Sequence, residues 1–150
     1  YATEAEARQS CQAYAPPKWS EGTSPCCSVC RGHYGLLTRR RHHCRNCGRY
    51  VCSNCSDRQW PAAMLPFTYM ADKNDRKARV CDTCHVSMED FRSALLRGDE
   101  VAARTLYSRG CINLRCPYTI YDNELPLHCA AKSGSIPLLS WLLEDRHCPM

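Results

Sequence analysis

The 150-residue chain holds fourteen cysteines and a formal net charge of +5; that length suits one ordinary domain or two small ones. Cysteine at this density means either a disulfide scaffold or metal sites. No apolar run with a basic start opens the sequence and no stretch reaches bilayer length, so a reducing, cytoplasmic setting is expected.

Residues 1–18 read as a leader, Ala/Glu-rich and then reaching Pro16-Pro17, and are expected to be flexible. Residues 19–86 contain four C-x-x-C pairs: Cys27/Cys30, Cys44/Cys47, Cys52/Cys55 and Cys81/Cys84. A two-residue gap lets both thiolates of a knuckle reach one tetrahedral ion, so the eight cysteines are expected to saturate two zinc ions. Spacing alone leaves the pairing open. The second and third knuckles could share an ion and leave the first and fourth to close a long loop. Interleaving first with third and second with fourth braces the chain twice, which suits a segment with few large apolar side chains. Four cysteines per ion leave no open position for water, so such sites are structural. With no nucleophile pattern elsewhere, the sequence argues against an enzyme. Cys26 abuts Cys27, but the gap to Cys30 favours Cys27 as the ligand. Cys11, Cys26, Cys111, Cys116, Cys129 and Cys148 are expected to be free thiols. Between Cys55 and Cys81 no period is visible, and a loop is expected with a short strand leading into Val80.

Residues 87–150 differ. Cysteine pairs stop and helical periodicity begins. Phe91, Leu95 and Leu96 fall on one face, as do Val101, Leu106 and Tyr107, with Gly98 and Gly110 as helix ends. Leu127, Ala130 and Ala131 mark a short helix, and Leu138 to Leu143 a very apolar one after Pro137. Residues 94–99 align with residues 130–135 at an offset of 36, the mark of a repeated helix–turn–helix unit. Charge divides the same way. Residues 1–87 carry thirteen Lys/Arg against seven Asp/Glu, and residues 88–150 seven against eight. Two zinc ions on eight thiolates bring about −4 in total, so attraction to anions must come from local clustering of the positive charge.

That clustering is at Thr38-Arg39-Arg40-Arg41-His42-His43-Cys44-Arg45-Asn46-Cys47-Gly48. Arginine grips phosphate oxygens with a planar fork, histidine donates to hydroxyls or phosphate, and the knuckle fixes both in advance. The run resembles the basic R-R/K-H-H-C-R core of FYVE zinc fingers, and Arg79-Val80-Cys81 resembles their R-V-C element. The resemblance covers residues 19–86. It implies a small zinc-stabilised α+β fold with two interleaved four-cysteine sites: Cys27, Cys30, Cys52 and Cys55 for one, and Cys44, Cys47, Cys81 and Cys84 for the other. It also implies binding of phosphatidylinositol 3-phosphate on endosomal membranes, through Arg40, Arg41, His42, His43, Arg45 and Arg79. Leu36 and Leu37 occupy the place of the family's membrane-inserting loop, where burial contributes at most about 2 kcal/mol each, and nearby arginines about 1 kcal/mol each against an anionic leaflet. The family opens W-x-x-D. Here Trp19-Ser20-Glu21-Gly22 puts glycine where aspartate helps select the 3-phosphate, so the resemblance implies membrane binding and leaves strict 3-phosphate selectivity unassigned.

In residues 87–150, Leu125-Pro126-Leu127-His128-Cys129-Ala130-Ala131-Lys132-Ser133-Gly134 resembles the T-P-L-H-x-A-A-x-x-G of ankyrin repeats, and residues 89–114 resemble a degenerate preceding repeat. This implies an all-α second module of about two repeats that holds a protein partner. The whole reads as a peripheral membrane adaptor on endosomes. The competing reading is a RING-like module in ubiquitin ligation, but those usually place histidine among the eight ligands. No nucleic-acid partner is expected, because no stacking platform of aromatic side chains accompanies the arginines.

Overall fold

The computed structural model describes residues 20, 22–65, 77–114, 117–118 and 121–146. The leader, Trp19, Glu21, Cys11, Cys116, Cys148 and most of the insert before Lys77 lie outside the described residues. The chain divides into two compact units, Tyr1–His85 and Val86–Met150.

Among the described residues the first unit buries a small apolar set. Two antiparallel hairpins form the unit: β1 (Arg41–His43) pairs with β2 (Tyr50–Cys52), and β3 (Arg58–Pro61) pairs with β4 (Lys77–Val80). Cys44 to Arg49 makes the turn between β1 and β2. Gly48 sits at φ +72° there, donating its N–H to the Cys44 carbonyl at 2.8 Å, a backbone shape that glycine adopts without penalty. Val51, Trp60, Met64, Leu65, Ala78 and Val80 are buried together with six of the eight knuckle cysteines. So small an apolar set needs cross-links to hold it. The strand into Val80 is present as expected. The loop expected after Cys55 instead contains β3 and a 3-10 turn at Ala62–Met64. Arg58-Gln59-Trp60-Pro61 has only Trp60 buried, and Pro61 at its end conceals the strand in the sequence.

In the second unit, α1 (Asp82–Arg97), which begins before the unit boundary, buries Met88, Phe91, Ala94 and Leu95 at helical spacing. Gly98 ends it at φ +71°, with Gly98 N–H on the Leu95 carbonyl (3.1 Å) and Asp99 N–H on the Ala94 carbonyl (2.9 Å), a left-handed cap. Asp99 then caps α2 (Glu100–Ser108), its carboxylate accepting from Ala102 N–H at 3.0 Å. α3 (Pro126–Ser133) ends on Gly134, also at φ +71°, and α4 (Ile136–Ser140) continues as a π-helical turn over Trp141–Asp145. Leu138, Trp141 and Leu142 are buried, and Tyr107 meets Trp141 edge-on at 5.6 Å. One expectation fails here: Val101 does not pack on one face with Leu106 and Tyr107, which are half-buried. Val101 is 78% exposed, and Ala103 is the buried residue of α2. The 36-residue offset is visible in the backbone, since Gly98 and Gly134 have the same φ and a Cβ on Gly98 would lie 3.2 Å from the Ser135 Cβ. Among the described residues no helix is long and apolar enough to cross a membrane.

Candidate metal centres and the basic strand

The hairpins bring the four knuckles together in two groups. Cys27 and Cys30 lie around the turn 28–30, Cys52 ends β2, and Cys55 ends a 3-10 turn at Ser53–Cys55. Cys44 follows β1, Cys47 closes the turn 45–47, Cys81 follows β4, and Cys84 sits in the first turn of α1. Within each group of four the sulfurs lie within 4.8 Å of one another. Cys30–Cys52, Cys44–Cys84 and Cys47–Cys81 are separated by 3.9, 3.8 and 4.0 Å. A tetrahedral ion with Zn–S bonds of about 2.3 Å requires sulfurs about 3.8 Å apart. The first and third knuckles therefore meet, as do the second and fourth.

The electrostatics point the same way. Burial pushes the Cys27 thiol up, but N–H donors from Cys30, Cys52 and Val29 outweigh it and hold Cys27 at about 7. Contact with Cys47 raises Cys44, while Cys81 and Cys84 lower it more, to about 7. Cys55 is pushed up by burial and by Cys30 and Cys52, and Cys81 by its contacts with Cys44 and Cys47. Four thiols this close cannot all ionise unless a cation lies among them. Amide donors add to the preference for thiolate: Val29 and Cys52 N–H reach Cys27 Sγ at 3.4 and 3.3 Å, and Cys81 N–H reaches Cys44 Sγ at 3.2 Å. The two groups differ in exposure. All four sulfur residues of the second are buried, whereas Cys30 of the first is exposed and Cys55 half-buried.

Cys26 stays outside both groups, with its Sγ 3.7 Å from His33 Nδ1. His85 is engaged elsewhere, accepting from Trp60 Nε1 at 3.4 Å. Cys129 is buried in the second unit, and burial pushes its thiol up to about 11.

The basic run becomes β1, and strand alternation splits its side chains between two faces. His42 is half-buried, 3.4 Å from Ser53 Oγ. Burial first, then the charges of Arg79, Arg45 and Arg40, hold its imidazole below the usual range. Those three arginines thus stand close enough to His42 to disfavour its charged form. Arg41 and His43 lie on the face opposite His42, against Tyr50: the Arg41 guanidinium sits 5.0 Å from the ring centroid, and the His43 ring 4.2 Å from it. Arg39 folds back over Gly32, where a Cβ would lie 1.8 Å from its Nη1. Leu36 and Leu37 stand at a bend closed by Gly35 N–H on the Arg39 carbonyl (3.2 Å), and are 92% and 89% exposed. Gly22 is exposed at φ +97°.

Three supporting residues escaped the sequence. Ser56 is fully buried, donates to the Cys52 carbonyl at 2.7 Å and offers its own carbonyl to the Arg79 guanidinium. Tyr50 forms the platform under Arg41 and His43, and Asn46 is buried inside the second knuckle. A serine just past Cys55 and a tyrosine two residues before Cys52 carry no pattern that would single them out.

Two interleaved four-cysteine clusters on paired hairpins, with an arginine-rich first strand, define a small two-zinc binding module. Residues 18–90 match the family model described as FYVE zinc finger, and this segment is a FYVE zinc finger that binds two zinc ions. The chain is 47% identical over 58 residues to the Lateral signaling target protein 2 homolog of Brugia malayi. It is 39% identical over 59 residues to RUN and FYVE domain-containing protein 2 of Homo sapiens. It is 38% identical over 73 residues to the Hepatocyte growth factor-regulated tyrosine kinase substrate of Drosophila melanogaster. These matches cover 39%, 39% and 49% of this chain and 8% of each relative's own length.

Proposed function

We propose that this chain is a non-enzymatic, phosphoinositide-binding adaptor that docks peripherally on endosomal membranes from the cytoplasm. Residues 19–86 act as the membrane-docking zinc finger, following the leader 1–18. Arg40, Arg41, His42, His43, Arg45 and Arg79 receive the phosphatidylinositol 3-phosphate headgroup, and Leu36 and Leu37 enter the bilayer. Cys27, Cys30, Cys52 and Cys55 hold one zinc ion, and Cys44, Cys47, Cys81 and Cys84 the other. The observation that carries the reading is the bare Leu36–Leu37 tip standing four residues before the basic strand. A globular surface gains nothing from two adjacent leucines in water, whereas a bilayer removes their cost beside arginines that meet its anionic headgroups. Charge brings the module to the surface and the leucines then retain it.

Residues 87–150 act as ankyrin-like repeats that hold a protein partner. Support comes from the repeated helix–glycine–helix unit, with Gly98 and Gly134 in one backbone conformation and their turns in contact.

Co-sedimentation of zinc-loaded protein with vesicles at matched net charge tests the lipid reading. Vesicles containing phosphatidylinositol 3-phosphate should pellet the wild type and not Arg79→Ala. Equal binding to vesicles with any anionic lipid would overturn the headgroup assignment.

A further inference from the structure

Thr38 follows Leu36 and Leu37 in the bend 36–39, where Gly35 N–H reaches the Arg39 carbonyl at 3.2 Å. Its side chain is exposed, and among the described residues its hydroxyl makes no hydrogen bond. Serines nearby are committed. Ser24 donates to the Cys26 carbonyl at 2.9 Å, Ser53 to the Arg40 carbonyl at 3.4 Å, and Ser56 is buried on the Cys52 carbonyl. Thr23 and Thr83 are exposed like Thr38, but Ser24 and Cys84 follow them. Arg39, Arg40 and Arg41 follow Thr38, and among the described Ser and Thr residues of the first unit it alone directly precedes a cation.

An exposed hydroxyl in a surface bend, with three consecutive guanidiniums on its C-terminal side, suits the acidic substrate groove of a protein kinase, an enzyme that selects by such charge patterns. A phosphate placed there has a direct consequence. It brings a charge of about −2 to a residue with bare leucines before it and the headgroup arginines after it. To enter the bilayer surface, the tip would have to strip water from a dianion beside Leu37, at a large cost. The same charge offsets about two of the arginines that meet the anionic leaflet.

We propose that Thr38 is a phosphorylation site for an arginine-directed protein kinase, and that its phosphate keeps the finger off the membrane. The step transfers the terminal phosphoryl group of ATP. Thr38 Oγ1 forms the new P–O bond, the bond to the leaving ADP breaks, and the hydroxyl proton passes to the base of the kinase. The effect on docking rests on the membrane-inserting role proposed for Leu36 and Leu37. Docking and phosphorylation exclude each other, because the bilayer that takes those leucines also covers Thr38.

The zinc-loaded chain, treated with ATP and the catalytic fragment of protein kinase C, tests this by mass-spectrometric site assignment and vesicle co-sedimentation. In solution Thr38 should be phosphorylated. Vesicles containing phosphatidylinositol 3-phosphate should slow that reaction about tenfold, and vesicles lacking it should not. The phosphorylated chain should bind the 3-phosphate vesicles at least about tenfold more weakly than the untreated chain, with two zinc ions still bound. Thr38→Val should pellet equally before and after treatment with kinase and ATP, which assigns the effect to this residue. The proposal is overturned if Thr38 takes up no phosphate, if the chain phosphorylated at Thr38 pellets as well as the untreated chain, or if docking on vesicles leaves the reaction rate unchanged. An untreated chain that fails to pellet removes the docking reading and the proposal with it, and that failure is visible before any phosphate is added.

Discussion

The Arg79 guanidinium donates to the backbone carbonyl of Ser56, a buried serine whose hydroxyl is itself committed to the Cys52 carbonyl. Arg79 lies on β4 and Ser56 just past the third knuckle, so this bond ties an arginine beside the second zinc cluster to the loop of the first. The guanidinium is therefore oriented before any ligand arrives. Arg79→Lys keeps the charge but loses the fork. Its binding to phosphatidylinositol 3-phosphate vesicles should fall about tenfold, with two zinc ions still bound, as flotation and metal analysis would measure. Undiminished binding would make Arg79 a generic cation.

The zinc clusters should empty in order. Cys30 is exposed, whereas all four cysteines of the other cluster are buried. A chelator challenge followed with a colorimetric zinc indicator should release one equivalent quickly and the second slowly. Cys30→Ser should abolish the fast phase. A single phase in the wild type would show that exposure does not set lability.

Leu36→Ser/Leu37→Ser should leave thermal stability unchanged, because neither side chain is packed in the free protein. Vesicle binding should nevertheless drop at least tenfold, from the loss of about 2 kcal/mol per leucine at most, while affinity for soluble inositol 1,3-bisphosphate stays the same. A fall in both would mean that the bend, and not insertion, was disturbed.

In the second unit Glu124 accepts from Arg92 at 2.9 Å and from Lys132. Lys132 and then Arg92 hold its carboxyl down at about 2, against an ordinary 4.5. A carboxyl lowered on folding contributes stability that is complete above 4.5 and is lost as pH falls from there toward about 2. Urea unfolding followed by the Trp141 indole resonance should show that loss, and Glu124→Gln should remove the dependence. It should also cost about 1–2 kcal/mol at neutral pH by leaving Arg92 without its carboxylate. A wild-type curve flat between pH 5 and 3 would contradict the assignment.

The zinc-binding half was legible because metal ligation imposes spacing. Four C-x-x-C pairs and Arg40–Arg45 stand out without any fold. The partition of that basic run was not legible: only pairing with β2 sends His42 to one face and Arg41 to the other. In the second unit Gly98 and Gly110 were readable as helix ends, and both take a positive φ, +71° and +79°. Val101 misled because a valine near the right period looks like core, whereas α2 buries Ala103 instead. The turn that puts Asp122 and Asn123 at φ +53° and +59° between Tyr118 and Glu124 gave only a weak Asp-Asn signal.

The central claim is that the Leu36–Leu37 tip and the arginine-rich run around β1 meet the membrane together. Amide spectra of the zinc-loaded chain with lipid nanodiscs, with and without phosphatidylinositol 3-phosphate, test it most directly. With the 3-phosphate lipid, and not without it, the spectra should show broadening at Gly35 to Thr38 and shifts at Arg40, Arg41, His42, His43, Arg45 and Arg79. The same spectra with both kinds of disc, or changes confined to residues 86–146, would contradict it.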